Sequence, residues 1–241
     1  MPRRLRPPST KRSEHWLRVM VNDHPNYLNH CISKAFGWGT ADIEWRSPLR
    51  DDDYAEYYDQ EFLERLGVRD LRIPLHEFWP KSGPRWDGLA CTKEKEGKLI
   101  LVEAKAHIEE AVDYRSKASA NALARIEKRL DEAKAAFRAN PDAPWYSPLY
   151  QMANRLAHLY YLADINKKDA YLVFVNFANA TDVEIPVSRE EWQGAIRLAH
   201  KCLGLKDSRL SRRVTSIIID LEKIFGQQSA GGDAKNCAPQ P

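Results

Sequence analysis

Two short apolar runs limit what this chain can fold into. Leu99–Ala106 (LILVEAKA) and Ala170–Phe177 (AYLVFVNF) are too short for core helices, and their β-branched and aromatic content suits buried strands. Helical periodicity lies between them. Leu123, Ile126, Leu130 and Phe137 stripe a helix within Tyr114–Phe137, and LYQMANRLAHLYYLADI reads as a second after the proline-rich loop NPDAPWYSP. Strands joined through helices belong to an α/β protein with a central mixed sheet flanked by helices.

The rest of the chain fills in around that core. DDDYAEYYDQEFLERLGV reads as a helix, with acidic residues at its start, Gly67 at its end and Tyr54, Tyr58, Phe62 and Leu66 on one face. Asp70–Leu75 (DLRIPL) alternates as a strand, with Pro74 placing it near an edge or an end. Ser188–Cys202 opens on SREE, a capping-box pattern, and Val214–Leu221 is a last strand. We expect residues 1–13 to be a disordered basic arm, 14–226 a single domain and 227–241 a disordered tail.

Composition narrows the setting. Hydrophobic residues make up 43% of the chain and charged residues 29%, the balance of a globular protein. The N-terminus has basic residues with no apolar segment behind them, and no apolar run approaches the roughly 18 residues of a membrane span. A cytoplasmic protein without membrane attachment is therefore expected. The four cysteines lack a paired CxxC spacing, against both a zinc cluster and a disulfide framework. A net charge of +3 is too small to argue for nucleic acid by itself.

The segment RWDGLACTKEKEGKLILVEAKAH, Arg85–His107, reads as a β-hairpin carrying charges where burial is expected. Side chains two apart in a strand share a face, so Glu103 and Lys105 point one way with Leu99 and Leu101, while Ile100, Val102, Ala104 and Ala106 point the other. A turn centred on Lys95 makes paired residue numbers sum to a constant that sets Asp87 opposite Glu103. A two-residue turn at Glu96 and Gly97 would move Asp87 by about three positions. In the first register two carboxylates and an ammonium converge. Paired carboxylates repel unless a cation lies between them, and short acidic oxygens suit Mg2+, which often binds through one or two carboxylates plus a phosphate.

Asp87, a hairpin, then Glu103-Ala104-Lys105 at the end of an apolar strand resembles the PD-(D/E)xK nuclease superfamily, whose members share a restriction-endonuclease-like αβββαβ core. The span from about Asp53 to Phe177 can be read in that order with one extra helix, followed by a C-terminal helix and strand. The resemblance implies metal-dependent hydrolysis of DNA phosphodiesters, with Mg2+ or Mn2+ held by Asp87, Glu103 and the backbone carbonyl of Ala104, and with Lys105 as the catalytic lysine. It further implies an acidic residue on the first core helix, for which Glu61 and Glu64 are the candidates. Some exonuclease branches carry Gln followed four residues later by Tyr; here Gln151 is followed by Arg155, one turn along the same helix side. Both are accessory candidates. Trp86 rather than Pro precedes the Asp. DNA is the expected partner, and homodimerisation is left open. Two rivals stand: a catalytically inactive member of the same fold that binds nucleic acid or protein, and a metal-dependent hydrolase of small phosphoesters.

Overall fold

The computed structural model describes residues 10–94, 97–112 and 118–226. Helices α1 (Arg12–Asp23) and α2 (Pro25–Phe36) lead into strand β1 (Ile43–Ser47), then the short helices α3 (Asp59–Arg65) and α4 (Leu75–Phe78). The hairpin β2 (Gly88–Thr92) and β3 (Leu99–Lys105) precedes helix α5 (Ala120–Ala136) and helix α6 (Tyr150–Tyr160), which widens into a π turn over Tyr161–Ile165. Strand β4 (Ala170–Ala178), helix α7 (Arg189–Cys202), strand β5 (Val214–Asp220) and helix α8 (Leu221–Phe225) complete the chain.

The strands form one sheet in the order β1-β2-β3-β4-β5. The first three run antiparallel to their neighbours, and β3, β4 and β5 run parallel. The sheet is thus mixed, as expected. Its central strands are buried on both faces and separate two cores. On one face Ile100, Val102 and Ala104 of β3 pack with Leu17 and Met20 of α1, Leu28 and Ile32 of α2, and Trp45 of β1. On the other, Leu101 packs with Phe62 of α3, Phe78 of α4, Leu130 of α5 and Leu156 of α6. The alternation along LILVEAKA therefore sorts as its period-2 pattern requires.

The N-terminal half departs from expectation. The helix expected across DDDYAEYYDQEFLERLGV is reduced to a single turn at Arg50–Asp52 and to α3. Asp53, Tyr54 and Asp59 take positive φ (49°, 55° and 49°), which interrupts helical progression, and Tyr57 is drawn into an extended bridge with Trp86. Asp70–Leu75 is not a strand: Pro74 is instead the N-cap of α4. The first strand is Ile43–Ser47, whose residues IEWRS alternate buried and half-buried. The other elements stand close to their expected bounds. Ser188 caps α7 with the reciprocal capping box that SREE implies: its hydroxyl accepts the Glu191 N–H, and the Glu191 carboxylate accepts the Ser188 N–H at 2.8 Å. The expected helix start at Tyr114 and the turn residues Lys95 and Glu96 lie outside the described residues, as do 1–9 and 227–241. Among the described residues no helix is long and apolar enough to cross a membrane, and Cys31, Cys91 and Cys202 are free thiols.

Candidate active site

The register of the hairpin decides where Asp87 stands. Gly88 pairs with Val102, Leu89 with Leu101, Ala90 with Ile100 and Cys91 with Leu99. Continuing that ladder one step sets Asp87 opposite Glu103, the first of the two registers considered. At that step the ladder changes character: Asp87 accepts the Ala104 N–H on Oδ2 at 2.7 Å. The side chain takes over a backbone donor and is tied to the strand that carries Glu103. Gly88 gives this junction its close fit. A Cβ there would stand 3.1 Å from the Trp45 ring, 3.2 Å from Val102 Cβ and 3.3 Å from Leu17.

Glu103 is 2% exposed, so its charge needs partners within the protein. Lys105 Nζ donates to Oε1, and Arg155 Nε donates to Oε2 at 2.6 Å. Arg155, on the buried stretch of α6, is itself 4% exposed. It also donates from Nη2 to the Arg85 carbonyl at 2.8 Å, and its guanidinium lies 5.0 Å over the Trp86 ring. It therefore bridges Glu103 to the segment that delivers Asp87.

Two carboxylates and two cations share this patch, and their titration is coupled. Burial and then the neighbouring Glu103 push the Asp87 carboxyl up to about 8, with Lys105, the Ala104 N–H and Arg155 pulling it down. For Glu103 burial acts in the same upward sense, but Arg155 and Lys105 outweigh it and hold the group below its ordinary value. Burial works against the Lys105 ammonium, while Glu103 and Asp87 more than offset it and raise its pKa. The site keeps Glu103 charged and leaves Asp87 short of counter-charge.

The other candidates fall elsewhere. Glu64 is exposed, and Glu61 is half-buried with Oε2 enclosed and without a hydrogen-bond partner. Neither is among the charged groups that shift Asp87, Glu103 or Lys105. Gln151 is half-buried one turn before Arg155, and the bonds to Glu103 come from Arg155. Trp79, Trp86 and Trp145 are core residues, at 3%, 0% and 0% exposure. His107 caps the turn after β3 by accepting the Glu109 N–H. The basic face of α5 is partly spent inside the molecule: Arg125 donates to the His76 carbonyl, and Arg129 to the carbonyls of Glu77 and Phe78.

A buried histidine lies one helical turn below Asn154, a position the sequence pattern hides within an apolar helix. His158 sits among Phe62, Phe78, Trp79 and Trp86 at ring distances of 4.8–6.4 Å and donates from Nδ1 to the Asn154 carbonyl at 2.9 Å. Burial lowers its pKa to about 3. It is a neutral packing group. The sequence signal for Arg155 is a lone arginine in LYQMANRLAHL, a segment otherwise almost free of charge, which calls for a buried acid without naming Glu103.

A divalent cation would have few side chains to draw on. Among the described residues no group of three or more His, Cys, Asp or Glu could hold a metal ion. The donor set that does exist suits a hard cation: the hairpin register sets Asp87 opposite Glu103, and both supply carboxylate oxygens. With the Ala104 carbonyl, water and a substrate phosphate to complete the shell, two carboxylates match the sparse protein ligation typical of Mg2+. Compared with known proteins, the chain matches no family model, no curated protein and no solved structure.

Proposed function

We propose that the chain is a metal-dependent nuclease of the PD-(D/E)xK type that hydrolyses DNA phosphodiesters. The observation that carries this reading is the convergence of Asp87, Glu103 and Lys105 at one end of a buried hairpin, with Asp87 bonded to the backbone of the Glu-x-Lys strand. The element order supports it as well. The expected span Asp53–Phe177 holds only three strands among its described residues, β2, β3 and β4, so the αβββαβ order fails there; it is met instead by α2, β1, β2, β3, α6 and β4, with α3, α4 and α5 inserted and α7 and β5 following.

In this reading Asp87, Glu103 and the Ala104 carbonyl hold Mg2+ or Mn2+, which when bound neutralises phosphate charge and activates water. Lys105 lies on the same face as Glu103, and its ammonium orients the attacking water and offsets charge developing on the phosphoryl oxygens. A water oxygen would attack phosphorus in line as the opposite P–O bond breaks, its proton passing to solvent and the departing oxygen taking one up from solvent. Asp87 enters as the anion, so cation binding and its deprotonation go together.

The test is magnesium-dependent cleavage of end-labelled duplex and single-stranded DNA by the wild type, Glu103→Gln and Lys105→Met. Cleavage by the wild type alone supports the reading; no cleavage of any substrate, or equal cleavage by Glu103→Gln, overturns it. One observation favours a second reading, a binding protein of the same fold without activity: both Glu103 oxygens are already taken by Lys105 and Arg155. DNA retention without cleavage in magnesium would select it.

A further inference from the structure

Arg155 differs from Lys105 in how it is held. Lys105 reaches Glu103 from the same strand, two residues on. Arg155 reaches across from α6 and has two further holds, the Arg85 carbonyl at 2.8 Å and the Trp86 ring at 5.0 Å. If the bond to Glu103 Oε2 opens, the guanidinium keeps these two contacts and stays beside the site. A guanidinium also retains its charge at every working pH, and it is 4% exposed, so little solvent screens it.

We propose that Arg155 is the resident cation of the site: it occupies Glu103 Oε2 and must release that oxygen before Asp87 and Glu103 can hold a divalent ion. Arg155 thereby sets the metal concentration at which the site loads. The proposal rests on the reading of Asp87 and Glu103 as metal ligands. Its physical basis is competition for one oxygen, together with repulsion between a fixed positive charge and an incoming divalent one. The role is one of positioning and gating, since Arg155 acts through Glu103.

The competition is measurable without turnover. Mn2+ binding to the full chain, followed by the loss of the free-ion signal in electron paramagnetic resonance, would compare wild type, Arg155→Met and Arg155→Gln. Glu103→Gln marks the background, and circular dichroism confirms that each variant is folded. The neutral variants are expected to bind Mn2+ at least about tenfold more tightly than wild type. A merely structural brace would give unchanged or weaker binding, and that result would overturn the proposal, as would no binding by any protein. Mn2+ binding by the neutral variants with none by wild type would uphold the role of Arg155 and sink the nuclease reading of the native chain. Arg155→Gln serves where Arg155→Met fails to fold, because its amide can still meet the Arg85 carbonyl. Loss of folding in both would overturn the proposal, because Arg155 would then be a tie that the fold cannot release.

Discussion

The β2–β3 hairpin carries a glutamate–lysine pair at each end, and the two live under different physics. At the turn end Lys98 meets Glu94 at 2.9 Å, with the glutamate side chain 61% exposed. At the other end Lys105 meets Glu103, whose side chain is 2% exposed and shared with Arg155. Water and salt screen the first pair, which is worth at most about 1 kcal/mol. The second stands where charge must be matched by protein. Residue type alone would not separate them. The difference is set by position: one pair flanks the turn, and the other follows an apolar run into the layer between sheet and helices.

The largest expected contrast is in chemistry. Glu103→Gln and Lys105→Met should each lower magnesium-dependent DNA cleavage by about 10³-fold, while Glu94→Gln leaves it unchanged; a gel assay with labelled duplex measures all three. Stability comes next. Glu103→Ala leaves Arg155 and Lys105 buried without their partner and should cost about 3–5 kcal/mol in urea unfolding, whereas Glu94→Ala should cost no more than about 0.5 kcal/mol. Equal losses at the two ends would break the comparison.

A smaller effect follows from Asp87. Its carboxyl is raised from 3.8 to about 8 in the folded state, chiefly by burial and by Glu103. The native state therefore holds a proton that the unfolded chain gives up, and the contribution of Asp87 to stability declines as pH climbs from about 4 to about 8 before levelling off. The loss is on the order of 1–3 kcal/mol, less than the full shift implies because part of the side chain meets solvent. Asp87→Asn should flatten that slope and be the more stable protein at pH 8, as urea melts across the range would show. Because His158, held neutral by burial, adds an opposite trend below about pH 6.5, the comparison is the difference between wild type and Asp87→Asn, and a wild-type advantage that grows over this window would contradict the charge balance described here. The smallest effect is Lys98→Met, within about 0.5 kcal/mol of wild type at any pH from 5 to 9.

How far the sequence speaks for itself follows the same division. The β3 alternation, β4, β5 and the SREE start of α7 were legible because each is a local pattern enforced by burial or capping. The Asp87–Glu103 register was legible as one of two options, which the ladder decides. What misled was local pattern without a tertiary partner. DLRIPL alternates but has no strand to pair with, while DDDYAEYY has helical spacing but loses it to the bridge between Tyr57 and Trp86. IEWRS alternates just as plainly, and its charged Glu44 and Arg46 hide a strand that borders β2. Arg155 could be named as an accessory candidate from its spacing to Gln151. That it would meet Glu103 depends on α6 folding back over the sheet, which no local pattern encodes.

The missing side chain at Gly88 has a reach beyond the turn it serves. Trp45, Val102 and Leu17 form the bedding beneath the residue that follows Asp87, and they belong to the core on the opposite face from Glu103 and Arg155. The alignment of the two carboxylates is thus inherited from a layer that no substrate touches. A change in girth at Leu17, in the first helix of the chain, would register as a fault in the site while leaving every charged group there in place.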